Sequence, residues 1–469
     1  MVFSSLTFIF RFLPVFLAVY YILPNQYKNV CLFLGSIFFY AFGEPVYVFL
    51  ILCSLLFNYA LASLMDQTRQ KRLRTFLLLL SLFTNLGLLF FFKYTDFFLE
   101  NINALHGIFF HTSKPLFSLL KTGLPLGISF YTFQILSYSI DVYKKKYSSE
   151  KNILSLGIYL CMFPQLIAGP ILTYPQLNNQ IKKRSFSCSA FEYGLQLFIL
   201  GLGSKVILAN RIGLLWHQLQ TIGFDSLTMP IAWLGAFAYS FQLYFDFYGY
   251  SLMAIGLGKM LGFTIPENFQ HPYLSLSFTD FFRRWHITLG KWFREYLYIP
   301  LGGNKKGIGK TILNLLFIWF LTGFWHGASW NFIIWGMSVG LLIVGEKFLW
   351  GRFLKCSKFL AVPYMIILVP ISWILFAITD FSDLSTYLGC LFSFSCSNSL
   401  LGMKDFFAYL ETYGTILICC FLCSTYMPDR LFHLYRKKLA GILALTAVFW
   451  LSIYYLANSI NNPFLYFRF

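Results

Sequence analysis

Charge is scarce in this chain. Asp, Glu, Lys and Arg together make up 12% of 469 residues, and 18 acids face 36 lysines and arginines. So few ionisable groups, beside 58% hydrophobic residues and a mean hydropathy of +0.65, exclude a water-soluble globule, which would have nowhere to put its apolar surface. Long polar linkers, internal repeats and low-complexity tracts are also lacking, so residues 1–469 read as one integral membrane domain. The Walker spacing is missing around Gly302, Gly303 and Asn304, which makes that run a turn before Lys305 and Lys306 and excludes a phosphate-cradling loop. Cys419, Cys420 and Cys423 have no histidine or carboxylate company in their apolar run. That argues against a metal site there, and the ten cysteines read mostly as small buried hydrophobes.

What the chain has in quantity is apolar sequence, with 57 Phe and 30 Tyr. Runs approaching the roughly 20 residues needed to span a bilayer recur from Thr7–Leu23 to Ala440–Leu456, among them Thr75–Phe92 and Leu116–Ile140. They predict an all-α, polytopic membrane protein with about 11 to 13 transmembrane or re-entrant helices. The first run has no short cationic region before it, no small-residue cleavage site after it, and Arg11 within it, so it reads as a retained span.

The net charge of +18 does not point to nucleic acid, because the cations are dispersed over short loops. Arg69–Arg74, Lys144–Lys151, Lys182–Arg184, Lys305–Lys310, Lys347–Lys358 and Arg436–Lys438 fit the excess of basic residues on cytoplasmic loops. Counting spans outward from the first and last of these places both termini outside the cytoplasm, in a bacterial inner membrane.

Two stretches stand out. Gly323 to Trp330 reads GFWHGASW and sets His326 in an apolar, small-residue segment. Ionisable groups at such depth are costly, about 2.5–3.5 kcal/mol for a charge on insertion scales, and they usually face a bundle interior or a water-filled path. The second, Phe278 to Gly303, puts Phe282, Trp285, Leu289, Phe293 and Tyr296 on one helical stripe and Arg283, Arg284, Lys291 and Arg294 on the other side, with His286 at the stripe margin pointing inward. The arginines and lysine either grip acidic lipid headgroups or receive the phosphates of an anionic donor. Asp246, an isolated acid in YFDFYGY, either binds an acceptor's hydroxyls or pairs with a base on a neighbouring helix; Asn331 reads as acceptor contact or hydrogen-bond support.

FRRWHITLGKWFREYLYIPLGGNKKG, followed 326 − 286 = 40 positions after its histidine by FWHGASWNFIIWG, resembles the membrane-bound O-acyltransferase family. PLGISFYTFQILSYSIDVYK at Pro125–Lys144, FPQLIAGPI at Phe163–Ile171, YFDFYGYSLMAIGLGKMLGF at Tyr244–Phe263 and NPFLYFRF at Asn462–Phe469 are similar to its bacterial branch that acetylates alginate and peptidoglycan. The resemblance implies helices around a central tunnel, a cytoplasmic thioester donor such as acetyl-CoA with no bound cofactor, and an extracytoplasmic glycan acceptor served directly or through a periplasmic or surface transferase. It also implies His326 as the catalytic histidine and His286 as a second tunnel residue. The chemistry suits those residue types: a neutral imidazole, of unperturbed pKa about 6.5, can take the proton of an attacking hydroxyl. The small Gly323, Gly327 and Ala328 would let an acyl chain or a backbone donor come close. His286 could orient His326, hold the acceptor, or bond a carbonyl. Tyr466, in the aromatic tail, is either an acyl relay or an interfacial anchor. D-alanyl transfer from a carrier protein, and a non-catalytic conduit for glycan or lipid, are the competing functions.

Overall fold

In a computed structural model, residues 1–167, 169–393 and 401–458 are described, and they are helical without strands. Among them eight helices are long and apolar enough to cross a membrane. Those used below are α1 (Tyr47–Gln67), α2 (Lys71–Phe110), α3 (Ile128–Tyr143), α4 (Met229–Met260), α5 (Phe278–Arg284), α6 (Ile287–Phe293), α7 (Ile308–His326), α8 (Trp330–Gly345) and α9 (Lys358–Ala377). Of these, α1, α2, α7, α9 and the segment Trp330–Cys356 that contains α8 are membrane-length, as are Cys188–Ile222, Met403–Cys423 and Leu439–Asn458. The chain falls into two compact units, Met1–Phe191 with Gly258–Ile265, and Glu192–Leu257 with Pro266–Phe469.

In the first unit, polar side chains knit apolar helices together. Asn58 of α1 and Asn85 of α2 exchange side-chain hydrogen bonds of 3.2 and 2.9 Å, and Ser81 joins Asn58 (2.8 Å) to Ser139 of α3 (2.9 Å). Where lipid offers no competing partner, such contacts hold helices in register, at roughly 0.6–2 kcal/mol each.

Helix α2 has 40 residues, so at 1.5 Å per residue it runs about 60 Å, twice the hydrocarbon thickness. The sequence predicts its span only over Thr75–Phe92, followed by a span from Leu116. The structure instead continues α2 to Phe110 and leaves the next segment non-helical until Ile128. Pro115, Gly123, Pro125 and Gly127 interrupt helix formation there. The freed backbone is satisfied by α2 itself: Asp96 accepts from the amides of Leu120 and Lys121 (2.8 and 2.9 Å), and Asn103 pairs with both backbone groups of Phe117.

In the second unit, Cys188–Ile222 crosses α4 at glycines. A Cβ on Gly201 would stand 2.5 Å from the carbonyl oxygen of Gly249, so only glycine permits this approach. Beside that crossing Lys205 and Asp246 form a buried ion pair. Helices α7 and α8 form a tight hairpin in which a Cβ on Gly323 would overlap the Phe332 carbonyl oxygen and press on Gly336. A Cβ on Gly327 would strike the Phe332 ring. The small residues flanking His326 therefore serve helix packing. Of the three neighbouring cysteines, Cys420 is buried but Cys419 is exposed on the helix surface.

Candidate active site

The amphipathic stretch does not form the single helix its periodicity suggests. Helix α5 ends at Arg284, Trp285 is extended, and His286 adopts the left-handed conformation (φ 46°, ψ 54°) before α6 begins. A non-glycine residue there costs on the order of 1–3 kcal/mol and persists where its surroundings impose it. They do so through backbone pairing, with Gln270 N–H to Arg284 C=O and Ile287 N–H to Asn268 C=O, both 3.0 Å. Polarity still sorts as expected: Trp285, Leu289, Phe293 and Tyr296 are buried, while Arg283, Lys291 and Arg294 are exposed. Glu346 fixes the start of α5, its buried carboxylate accepting from the amides of Phe278 (2.6 Å) and Thr279 (2.9 Å), from the Thr279 hydroxyl (2.7 Å) and from the Tyr364 hydroxyl (3.2 Å). A carboxylate at a helix N-terminus satisfies orphan amides and meets the positive end of the dipole.

The break turns His286 into a cavity of about 190 Å³ that His326 also lines. His326, the last residue of α7, is 6% exposed and packs among the rings of Trp325, Trp335 and Phe376 at centroid distances of 4.9, 5.2 and 5.3 Å. Its cavity runs along one face of α7 through Leu315, Ile318, Trp319, Thr322 and His326, about 16 Å of helix. Exposed Arg294 and half-buried Tyr298 belong to the same lining.

His286 is 3% exposed, with its ring 4.7 Å from that of Phe247. Its Nδ1 meets Asn268 Oδ1 at 3.2 Å, and its Nε2 is buried without a hydrogen-bond partner among the described residues. Burial lowers the imidazole pKa to about 3, so the ring is neutral near pH 7. The indole Nε1–H of Trp335 is likewise buried and without an acceptor among the described residues. This chamber holds a neutral histidine, a second buried histidine and an indole donor in an aromatic wall.

The other sequence-predicted residues distribute as follows. Arg294 lines the cavity, whereas Arg284 is engaged by Asp280 (3.0 Å) and the Tyr426 hydroxyl (2.9 Å), and Arg283 and Lys291 lie outside the lining. Asp246 also lies outside it, with Lys205 as its ion-pair partner. Asn331 is fully buried and donates to the carbonyl of Phe376 at 2.9 Å, tying α8 to the end of α9. Tyr466 lies outside the described residues. Asn268 carries no advance signal, since it sits in an ordinary turn sequence, whereas Trp335 falls within the FWHGASWNFIIWG stretch without being singled out there.

Two buried histidines thus line one aromatic chamber, walled by α5 and α6 and by the membrane-length α7 and the segment containing α8. The chain belongs to the membrane-bound O-acyltransferase family, whose model matches residues 112–389, and it is accordingly an acyltransferase and a multi-pass membrane protein. It is 39% identical over 398 residues to a probable alginate O-acetylase of Pseudomonas putida, covering 84% of this chain and 81% of that protein. It is 39% identical over 378 residues to a peptidoglycan O-acetyltransferase of Helicobacter pylori, covering 73% of this chain and 70% of that one. A teichoic acid D-alanyltransferase of Streptococcus thermophilus is 29% identical over 240 residues, 48% of this chain and 57% of that one.

Proposed function

We propose that the chain, 1–469 acting as one enzyme, moves an acetyl group from a cytoplasmic thioester, acetyl-CoA, to a hydroxyl of an extracytoplasmic wall or exopolysaccharide glycan, directly or through a periplasmic or surface transferase. The observation that carries this reading is the shared lining of His286 and His326 in one elongated cavity that also includes the exposed Arg294. Arg294 suits the phosphates of the donor, while the length along α7 suits a slender arm that carries the acyl carbon toward His326. His326 takes the proton of the attacking hydroxyl as the new C–O bond forms. The indole N–H of Trp335 steadies the oxyanion of the tetrahedral intermediate. When the C–S bond breaks, the imidazolium returns its proton to the leaving thiolate. His286 holds the acceptor.

The inner-membrane location with both termini outside follows from the basic loops. Acetyl transfer is favoured over D-alanyl transfer because similarity to the alginate and peptidoglycan acetylases runs through 84% and 73% of the chain, against 48% for the D-alanyltransferase. A passive conduit would need no imidazole base in its wall. Cells lacking this chain are expected to lose O-acetyl esters from an envelope glycan, and a copy carrying His326→Ala, inserted at normal levels, should fail to restore them. Restoration by that copy would remove the catalytic role of His326.

A further inference from the structure

Asn268 makes more directional contacts around the chamber than any packing role requires. It is 1% exposed, and its Oδ1 accepts from the backbone amide of Thr288 (3.2 Å) and from the Thr288 hydroxyl (2.9 Å). The Thr288 amide, which can only donate, settles which end of the side-chain amide is oxygen; the other end, Nδ2, reaches Ser251 Oγ at 3.4 Å. An oxygen that faces the His286 Nδ1 at 3.2 Å can only accept, so Nδ1 carries the hydrogen. The one proton of a neutral ring is then spent on Asn268, and Nε2, buried and without a partner among the described residues, keeps its lone pair.

We propose that Asn268 is a positioning residue that locks His286 in the Nδ1–H tautomer, so that Nε2 presents a hydrogen-bond acceptor to a hydroxyl of the acyl acceptor. This rests on the acyl-transfer reading of the same cavity and sharpens it. His286 cannot donate to the oxyanion in this tautomer, and the molecule it holds must bring a donor of its own. A glycan does so, since a hydroxyl beside the one that attacks can bond Nε2 while the attacking one meets His326.

Among the described residues, His326, Tyr298 and Arg294 share the chamber with this pair, Phe247 and Trp325 supply apolar faces, and a separate cavity of about 130 Å³ lined by Asn268 carries Glu267, His271, Asp429 and His433 with the tyrosines Tyr193, Tyr244 and Tyr248.

The test is a double-mutant cycle on the full-length protein in membranes, with acetyl-CoA as donor and de-O-acetylated alginate or peptidoglycan as acceptor, after confirming equal insertion. Asn268→Ala should lower kcat on the order of 10- to 100-fold with the KM for acetyl-CoA unchanged. In a His286→Ala background the same change should cost nothing further. Asn268→Asp keeps an acceptor on Nδ1–H and should retain activity at neutral pH. Its carboxylate favours the imidazolium, so the acid limb of its pH profile should move to higher pH. Equal losses from Asn268→Ala with and without His286, or an unshifted profile for Asn268→Asp, would overturn the proposal. If Asn268→Ala does not insert, Asn268→Asp and its pH profile decide alone. An inactive wild type, or an active His326→Ala enzyme, would instead count against the acyl-transfer reading.

Discussion

At the scale of single residues, the two histidines are held in different ways. His326 ends a membrane-length helix and is enclosed by aromatic rings; His286 occupies a backbone break and is buried outside the eight spans. With its pKa lowered by burial from 6.5 to about 3, His286 stays neutral in the folded protein at pH values where the unfolded chain takes up a proton. Stability should therefore be flat above pH 6.5 and fall below it, by up to about 1.4 kcal/mol per pH unit, until about pH 3. Thermal unfolding in detergent between pH 4 and 7 should show a slope in the wild type that His286→Gln reduces; equal slopes in both would show that the ring protonates freely in the fold.

At the scale of elements, the site depends on contacts from outside it. Replacing Glu346 by Ala removes the acceptor for two amides and one hydroxyl at the start of α5 and for the Tyr364 hydroxyl of α9, and each buried donor left unmet costs about 1–3 kcal/mol. Glu346→Ala should lower both stability and acyl transfer, while Glu346→Gln, which keeps one acceptor, should lose less; thermal unfolding together with activity measures this. Asp246 separates two readings that the sequence left open. Alone, Asp246→Asn removes the carboxylate paired with the buried Lys205 and should impair insertion, whereas Lys205→Met with Asp246→Leu should restore both protein level and activity. A double variant that inserts well but transfers nothing would assign Asp246 to the acceptor.

How much of this was legible beforehand follows from range. Apolar runs and two motifs are local signals, so the membrane helices and both histidines could be read directly. The break at His286 could not, because the stripe of Trp285, Leu289 and Phe293 satisfies a continuous helix equally well. What breaks it is pairing with residues 268–270, a contact between separate segments. The long extension of α2 was hidden for the same reason: Asp96 and Asn103 look like loop residues until the segment they cap is known. Gly323 and Gly327 were legible as small, but their reason, the close hairpin of α7 and α8, was not.

At the scale of the whole molecule, the proposed function requires vectorial transfer, with the donor on the side of the basic loops and the glycan acceptor on the other. The measurement that tests this most directly uses vesicles in which the protein has a single orientation, with acetyl-labelled CoA confined to the side bearing the basic loops. Label should appear on a glycan acceptor, with its transferase where one is needed, on the opposite side, and should not do so with His326→Ala. Label reaching only acceptors on the donor's own side, or crossing equally well without His326, would contradict the account.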